Sequence, residues 1–186
     1  MSLDTVPTLV LTRDAAGCAA WALRLRDLGA RPISFPCLEI RDLERPGVQA
    51  ELQRALAASS WLCLTSPRGV EALRVRVDAL PAALRIAAVG PATAARVRER
   101  FGRVDVEAGQ LPGTGATARG LAEALLARGE DLGHVVLVTA DRGRRELESR
   151  LGDRGVSVER FELYRTVPTP PHGPRRDLRQ VLAERR

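Results

Sequence analysis

Three times in this chain a short, almost wholly apolar run ends directly in a helix start. The runs are Trp61–Thr65 before Pro67, Ile86–Val89 before Gly90-Pro91, and Val135–Thr139 before Asp141-Arg142-Gly143. Runs of this length rich in apolar residues read as buried strands, and strands that alternate with helices call for a parallel sheet covered on both faces. The pattern therefore predicts a doubly wound α/β architecture.

The stretch Trp61-Leu62-Cys63-Leu64-Thr65-Ser66-Pro67-Arg68-Gly69-Val70 is the most informative of the three. Pro67 suits the first position of a helix, where its fixed φ and missing N–H cost nothing. Thr65 or Ser66 can supply the oxygen that caps the exposed amides. A helix N-terminus, two hydroxyls and Arg68 would then meet at the carboxyl end of a strand. In open α/β sheets ligands bind at that edge, and the helix dipole favours an anion there.

The same grammar runs through the chain. A strand at Leu9–Thr12 leads to a helix from Ala15 to Leu28, with Cys18, Trp21, Ala22, Leu25 and Leu28 spaced to form one buried face. Gly29 ends it, and a strand at Pro32–Phe35 follows. Further on, a helix carries Val48, Leu52 and Leu56, a short strand covers Val104–Val106, and a helix runs from Thr117 to Arg128. A helix with Leu147 and Leu151 closes at Gly155 before a strand at Val156–Val158. Two stretches, Phe35–Asp42 and Val158–Thr166, are extended but only partly alternating, and they read as a pair of crossings between two lobes. Residues 1–36 are then the first part of an outer lobe and 37–163 an inner lobe with the crossings at its ends. Residues 164–186 are a return crossing, a Pro-rich linker (Pro168 to Pro174) and a helix start from Arg175 to Arg186. Two strands and one helix are too little for an independently stable lobe, so the outer lobe reads as incomplete.

Composition narrows the function. Hydrophobic residues make up 45%, enough for a core, while aromatics are only 3%. The net charge is +6 and the sequence pI about 10.7, with arginine as every basic residue. Those arginines alternate with acids, as in Arg96-Val97-Arg98-Glu99-Arg100, which reads as solvated helix faces. Few aromatics and no recognition-helix motif count against nucleic acid. No run approaches the ~20 apolar residues of a membrane span. Cys18, Cys37 and Cys63 sit in apolar settings without metal-ligand spacing, as reduced thiols of a cytoplasmic protein do.

Four strand ends share small, hydroxylated or cationic groups: Thr12-Arg13, Thr65-Ser66-Pro67-Arg68, Gly90-Pro91-Ala92-Thr93 and Asp141-Arg142-Gly143-Arg144. Singly each is an ordinary helix cap; together, with surplus arginine, they point to a ligand bearing several anionic groups. Gly113-Thr114-Gly115-Ala116-Thr117-Ala118 matches a dinucleotide fingerprint in letters, but it follows Leu111-Pro112 instead of a strand, so it reads as a loop with a cap at Thr114 or Thr117 and no nucleotide cofactor. Tyr164, the single tyrosine, lies on the second crossing and could donate a proton or cover a sheet edge. His134 and His172 have no evident catalytic partner. No nucleophile triad, metal cluster or carboxylate pair stands out.

Taken in order, Leu11-Thr12-Arg13, Pro36 with Leu38-Glu39-Ile40, Trp61 through Leu73, Ala88 through Ala94, Gly143 to Leu147 with Leu151, and Glu162-Leu163-Tyr164-Arg165-Thr166 resemble the uroporphyrinogen-III synthase family. The resemblance implies two flavodoxin-like α/β lobes joined by a two-stranded ribbon, with the active site in the cleft. It implies a cofactor-free and metal-free reaction in which hydroxymethylbilane, a polycarboxylate, loses water and closes with inversion of its D ring. Thr12, Arg13, Ser66, Arg68, Gly90, Thr93 and Arg144 would then bind carboxylates, with Thr65 beside them at its strand end, and Tyr164 would assist departure of the hydroxyl. One strand–loop–helix of the family's outer lobe has no counterpart here. The expectation is a truncated synthase, weak or inactive alone, with a dimer as one way to complete the outer lobe. The competing expectation is a non-catalytic tetrapyrrole- or anion-binding module of the same fold.

Overall fold

The computed structural model describes residues 6–110, 113, 115–169 and 183. Residues 1–5, Leu111, Pro112, Thr114, Pro170–Leu182 and 184–186 lie outside the described residues, and with them the proposed cap at Thr114, His172 and most of the C-terminal helix start.

The chain divides into two compact units, one of Met1–Arg41 with Thr166–Arg186 and one of Asp42–Arg165. In the first, β1 (Thr8–Leu11) and β2 (Arg31–Ser34) pair in parallel, with Thr8 opposite Arg31 and Leu11 opposite Ser34. They are linked by α1 (Ala15–Asp27). This helix buries only Cys18 and Ala22, with Leu25 half-buried. Trp21 and Leu28, expected on the buried face, are 44% and 80% exposed. They sit at the margin of the Cys18–Ala22–Leu25 stripe, and two strands are too narrow to cover a margin as well.

The second, inner unit is built on a six-stranded sheet in the order β3-β8-β7-β4-β5-β6, of which β3 up to Arg41 and β8 from Thr166 are counted with the first, outer unit. Its strands are β3 (Leu38–Asp42), β4 (Trp61–Leu64), β5 (Arg85–Ala88), β6 (Val106–Glu107), β7 (His134–Ala140) and β8 (Ser157–Pro168). Strand β4 is parallel to β5 and β7, β5 to β6, and β7 to β8. The helices are α2 (Val48–Ala58), α3 (Pro67–Arg74), α4 (Gly90–Phe101), α5 (Ala118–Leu126) and α6 (Glu146–Gly152).

All four residues of β4 are buried, because it is central and covered on both faces. Trp61 and Cys63 join Ala87, Val135 and Leu137 in one core layer with Leu121, Leu125, Leu147 and Leu151 of α5 and α6. By alternation Leu62 and Leu64 face the other way, with Ile86, Val136 and Val138. Leu52, Leu56, Val70, Leu73 and Val97, buried on α2, α3 and α4, belong to the helices that are not in the first layer. The doubly wound expectation holds. Arg85 stacks over the Trp61 ring at 4.3 Å, sealing the amino end of β4 while the indole Nε1 has no hydrogen-bond partner among the described residues.

Two details differ from the sequence reading. Val156–Val158 and the extended stretch after it are one strand, β8, and β3 is its neighbour in the sheet. The strand expected at Val104–Val106 is shorter and later, at Val106–Glu107, because the Asp105 carboxylate turns to accept from the Ile86 amide at 2.7 Å.

Candidate functional site

The first strand of the inner unit, β4, lies in the middle of its sheet. The chain goes from it to β5 and β6 on one side, then returns to β7 and β8 on the other. The order therefore reverses between β4 and β7, and the crevice beyond the carboxyl ends at such a reversal is where open α/β sheets bind ligands. Thr65 and Ser66 follow β4 at this place, and Thr139 and Ala140 end β7.

Ser66 is the N-cap of α3. Its backbone is extended (φ −160°, ψ 157°), and its Oγ accepts from the Gly69 amide at 3.0 Å, with Pro67 at the first helical position as expected. The same Oγ is 2.7 Å from the Tyr164 hydroxyl. A serine that already accepts from Gly69 still has its own proton to give. When Ser66 donates to the phenol oxygen, the Tyr164 proton is left to aim at a ligand; when Tyr164 donates, Ser66 accepts twice. Thr65 Oγ1 lies 3.5 Å from both the Val138 carbonyl and Thr139 Oγ1, joining the ends of β4 and β7.

Tyr164 reaches Ser66 through an irregularity in β8. Thr139 stands opposite Glu162, but Ala140 stands opposite Tyr164, so the pairing slips by one residue. Such a bulge redirects a side chain. Here the residue is buried (7% exposed), and its hydroxyl faces the α3 cap. The Asp141 amide donates to the Tyr164 carbonyl at 2.9 Å, which ties the turn after β7 to the same residue.

That turn is gripped from below by Arg160, whose role the sequence reading missed. Its Nη2 donates to the carbonyls of Ala140 (3.1 Å) and Gly143 (3.0 Å), its Nη1 to Glu148 (2.6 Å) and its Nε to Glu162 (2.8 Å). Burial alone would lower its pKa, but the bonds to Glu162 and Glu148 outweigh that and raise it. Arg160 falls opposite Leu137, in a row of core residues, where an arginine needs several acceptors, and that register exists only once β7 and β8 are paired.

The structure gathers Thr65, Ser66, half-buried Arg68 and Tyr164 at one edge. Arg144 is exposed on the turn after β7. Gly90 and Thr93 follow the adjacent β5, both buried. Helix α4 begins at Gly90 with φ +75° and has no side-chain cap. Thr12 and Arg13 are exposed beyond β1, in the other unit. There the start of α1 is filled by the Asp14 carboxylate, which accepts from Gly17 at 3.1 Å. At the start of α6 the cap position is Arg145, without a side-chain cap bond, and Glu146 and Glu148 occupy the first turn. An open, anion-attracting helix start is thus absent at α1 and α6, because the chain's own acids lie there.

The cap of α5 is Thr117, whose Oγ1 accepts from Gly120 at 3.0 Å, and β6 ends at Glu107, well before Gly113. Among the described residues no three His, Cys, Asp or Glu gather as a metal site, and no described helix is long and apolar enough to cross a membrane.

A family model described as "Uroporphyrinogen-III synthase HemD" matches residues 19–186. The chain belongs to the uroporphyrinogen-III synthase family. Its fold is similar to a uroporphyrinogen III synthase of the extremely thermophilic bacterium Thermus thermophilus, at 19% identity and a TM-score of 0.60. That match covers 89% of this chain and 64% of the Thermus chain. It is similar also to the uroporphyrinogen-III synthetase of Helicobacter pylori 26695, at 13% identity and a TM-score of 0.55, over 95% of this chain and 68% of that one. The chain thus spans just under two thirds of the Thermus fold. No curated protein sequence matches it.

Proposed function

We propose that the chain acts on hydroxymethylbilane, closing it to uroporphyrinogen III with loss of water and inversion of the D ring, without cofactor or metal. The observation that carries this reading is the Ser66–Tyr164 pair at the reversal point between β4 and β7. The leaving group is the hydroxyl of a hydroxymethyl-pyrrole. Its C–O bond breaks as the pyrrole nitrogen pushes electrons towards the methylene carbon, and the hydroxyl departs as water with a proton from the Tyr164 phenol. Ser66 holds the phenol oxygen while that proton is given. The substituted α-carbon of ring D attacks that methylene to give a spiro intermediate, its old bond to the C-ring methylene breaks, and the freed methylene is taken by the unsubstituted α-carbon of ring D. That carbon loses the proton that restores the phenol, so no oxidant or reductant is needed.

Arg68, Arg144, Thr65, Gly90 and Thr93, with Thr12 and Arg13 of the other unit, would bind the substrate's carboxylates. Holding a flexible chain of four rings in one folded conformation is the larger part of the work. The three free cysteines fit a reducing cytoplasm.

A second reading keeps the site and drops turnover: a tetrapyrrole-binding module that works with a partner or as a dimer. It is favoured by Val6, Leu9, Trp21, Leu23, Leu28 and Leu38, all on Met1–Arg41 and all at least 40% exposed, apolar side chains of the kind that a second copy could cover. Incubation with hydroxymethylbilane and separation of isomers I and III tests both. Isomer III above the spontaneous background, lost in Tyr164→Phe, supports the synthase. Isomer I alone at the uncatalysed rate, with retained uroporphyrinogen binding and a doubled molar mass, supports the module.

A further inference from the structure

A buried arginine that served only to pair charge would need one carboxylate. Arg160 has two, and it also spends both protons of Nη2 on backbone carbonyls of the turn that follows β7. Its side chain is only 12% exposed and that of Glu148 15%. The other carboxylate oxygen of Glu148, Oε2, is buried without a partner among the described residues, so the guanidinium is what keeps that charge tolerable. The turn itself is built to be gripped. A Cβ on Gly143 would lie 2.3 Å from Thr139 Oγ1 and 3.0 Å from Arg160 Nη2, so only glycine lets the backbone come this close. The Gly143 amide closes onto the Ala140 carbonyl at 3.0 Å, and the Asp141 amide onto that of Tyr164. Between these anchors the turn carries one acid, Asp141, and three arginines, Arg142, Arg144 and Arg145.

We propose that Arg160 is a positioning residue: by holding the Ala140 and Gly143 carbonyls it fixes the Asp141–Arg145 turn so that its arginines meet ligand carboxylates beside Tyr164. This rests on the reading that the edge binds a polycarboxylate. Arg160 itself does not touch the ligand; it acts through the turn.

The variant to make is Arg160→Lys, which keeps one positive charge but cannot reproduce a planar fork serving two carbonyls and two carboxylates. Gly143→Ala, which wedges the turn from its other side, is the second. Two measurements on the full chain are needed: amide hydrogen exchange over residues 141–145 without ligand, and affinity for the octacarboxylate uroporphyrin. Exchange in the turn is expected to quicken about tenfold or more in both variants, with the rest of the sheet unchanged, and affinity to fall by about the same factor. Arg144→Gln is expected to weaken binding in the wild-type background and to have no further effect once Arg160 is lysine, because a loosened turn no longer presents Arg144. A merely structural Arg160 would leave the two effects additive. Unchanged exchange in Arg160→Lys, or additive losses of affinity, overturns the proposal. Faster exchange in a protein whose wild type does not bind uroporphyrin overturns the ligand chemistry and upholds the clamp.

Discussion

Ser66 does two jobs with one oxygen, and they can be separated by a double-mutant cycle. Ser66→Ala removes the α3 cap, worth about 1 kcal/mol. It also strands the Tyr164 hydroxyl, a buried group that loses its 2.7 Å partner, at a further cost of about 1 kcal/mol. Tyr164→Phe removes the hydroxyl but leaves the Gly69-to-Ser66 bond intact, for about 1 kcal/mol. In the double variant no hydroxyl is stranded, so only the cap is missed and the cost returns to about 1 to 1.5 kcal/mol. The singles sum to about 3 kcal/mol, and the double should fall short of that by about 1.5 kcal/mol. Urea unfolding of the four proteins, followed by circular dichroism at one pH and protein concentration, reads all the terms. Additivity within about 0.5 kcal/mol would mean that the two hydroxyls do not share a bond, and the proton-donating arrangement would go with it.

Two further outcomes concern β4 and α4. Burial pushes the Cys63 thiol up to about 12 from 9.0, so below pH 9 it costs nothing, while above that the unfolded chain ionises and the folded one does not. Stability should therefore decline as pH rises from 9 towards 12. Between about pH 8 and 10.5 the wild type should lose about 2 kcal/mol more than Cys63→Ala, and parallel losses would show that β4 is wetter than described. Gly90 and Gly102 both have φ near +75–80°, but a Cβ on Gly90 meets Ala116 Cβ at 3.0 Å whereas one on Gly102 meets nothing within 4 Å. Gly102→Ala should cost about 1 kcal/mol by thermal unfolding and Gly90→Ala at least ~1 kcal/mol more; equal costs would mean that the start of α4 is not pressed against the Ala116 loop.

How much of this could be read from the residues depends on how local each cause was. The junction at Ser66-Pro67 was legible because cap, proline and apolar run are neighbours in sequence, and it is found as expected, with Ser66 and not Thr65 as the cap. The core layers of β4, β5 and β7 were legible because continuous apolar runs leave few alternatives. The slip between Thr139 and Ala140 was not, since a bulge is a relation between two strands, and the partial alternation along β8 says nothing about where Tyr164 ends up. Nor was the grip of Arg160, whose acceptors come from residues 140, 143, 148 and 162 and converge only once β7, β8 and α6 are packed. Trp21 and Leu28 mark the opposite failure: their spacing is right for a buried face, but the described sheet beneath is two strands wide.

The chain leaves the outer unit within β3 and re-enters it within β8, and these strands are neighbours, with the Leu43 amide donating to the Leu163 carbonyl at 2.9 Å. The outer unit is thus made of two segments separated by roughly 120 residues, and bringing such distant ends together in an unfolded chain costs about 4 kcal/mol of loop-closure entropy before any constant term. In a chain whose inner unit is folded that closure is already made, and a contact such as the Thr169 amide on the Cys37 carbonyl is local in effect. Wherever the inner unit is folded, the two ends from which the outer unit is built already lie side by side.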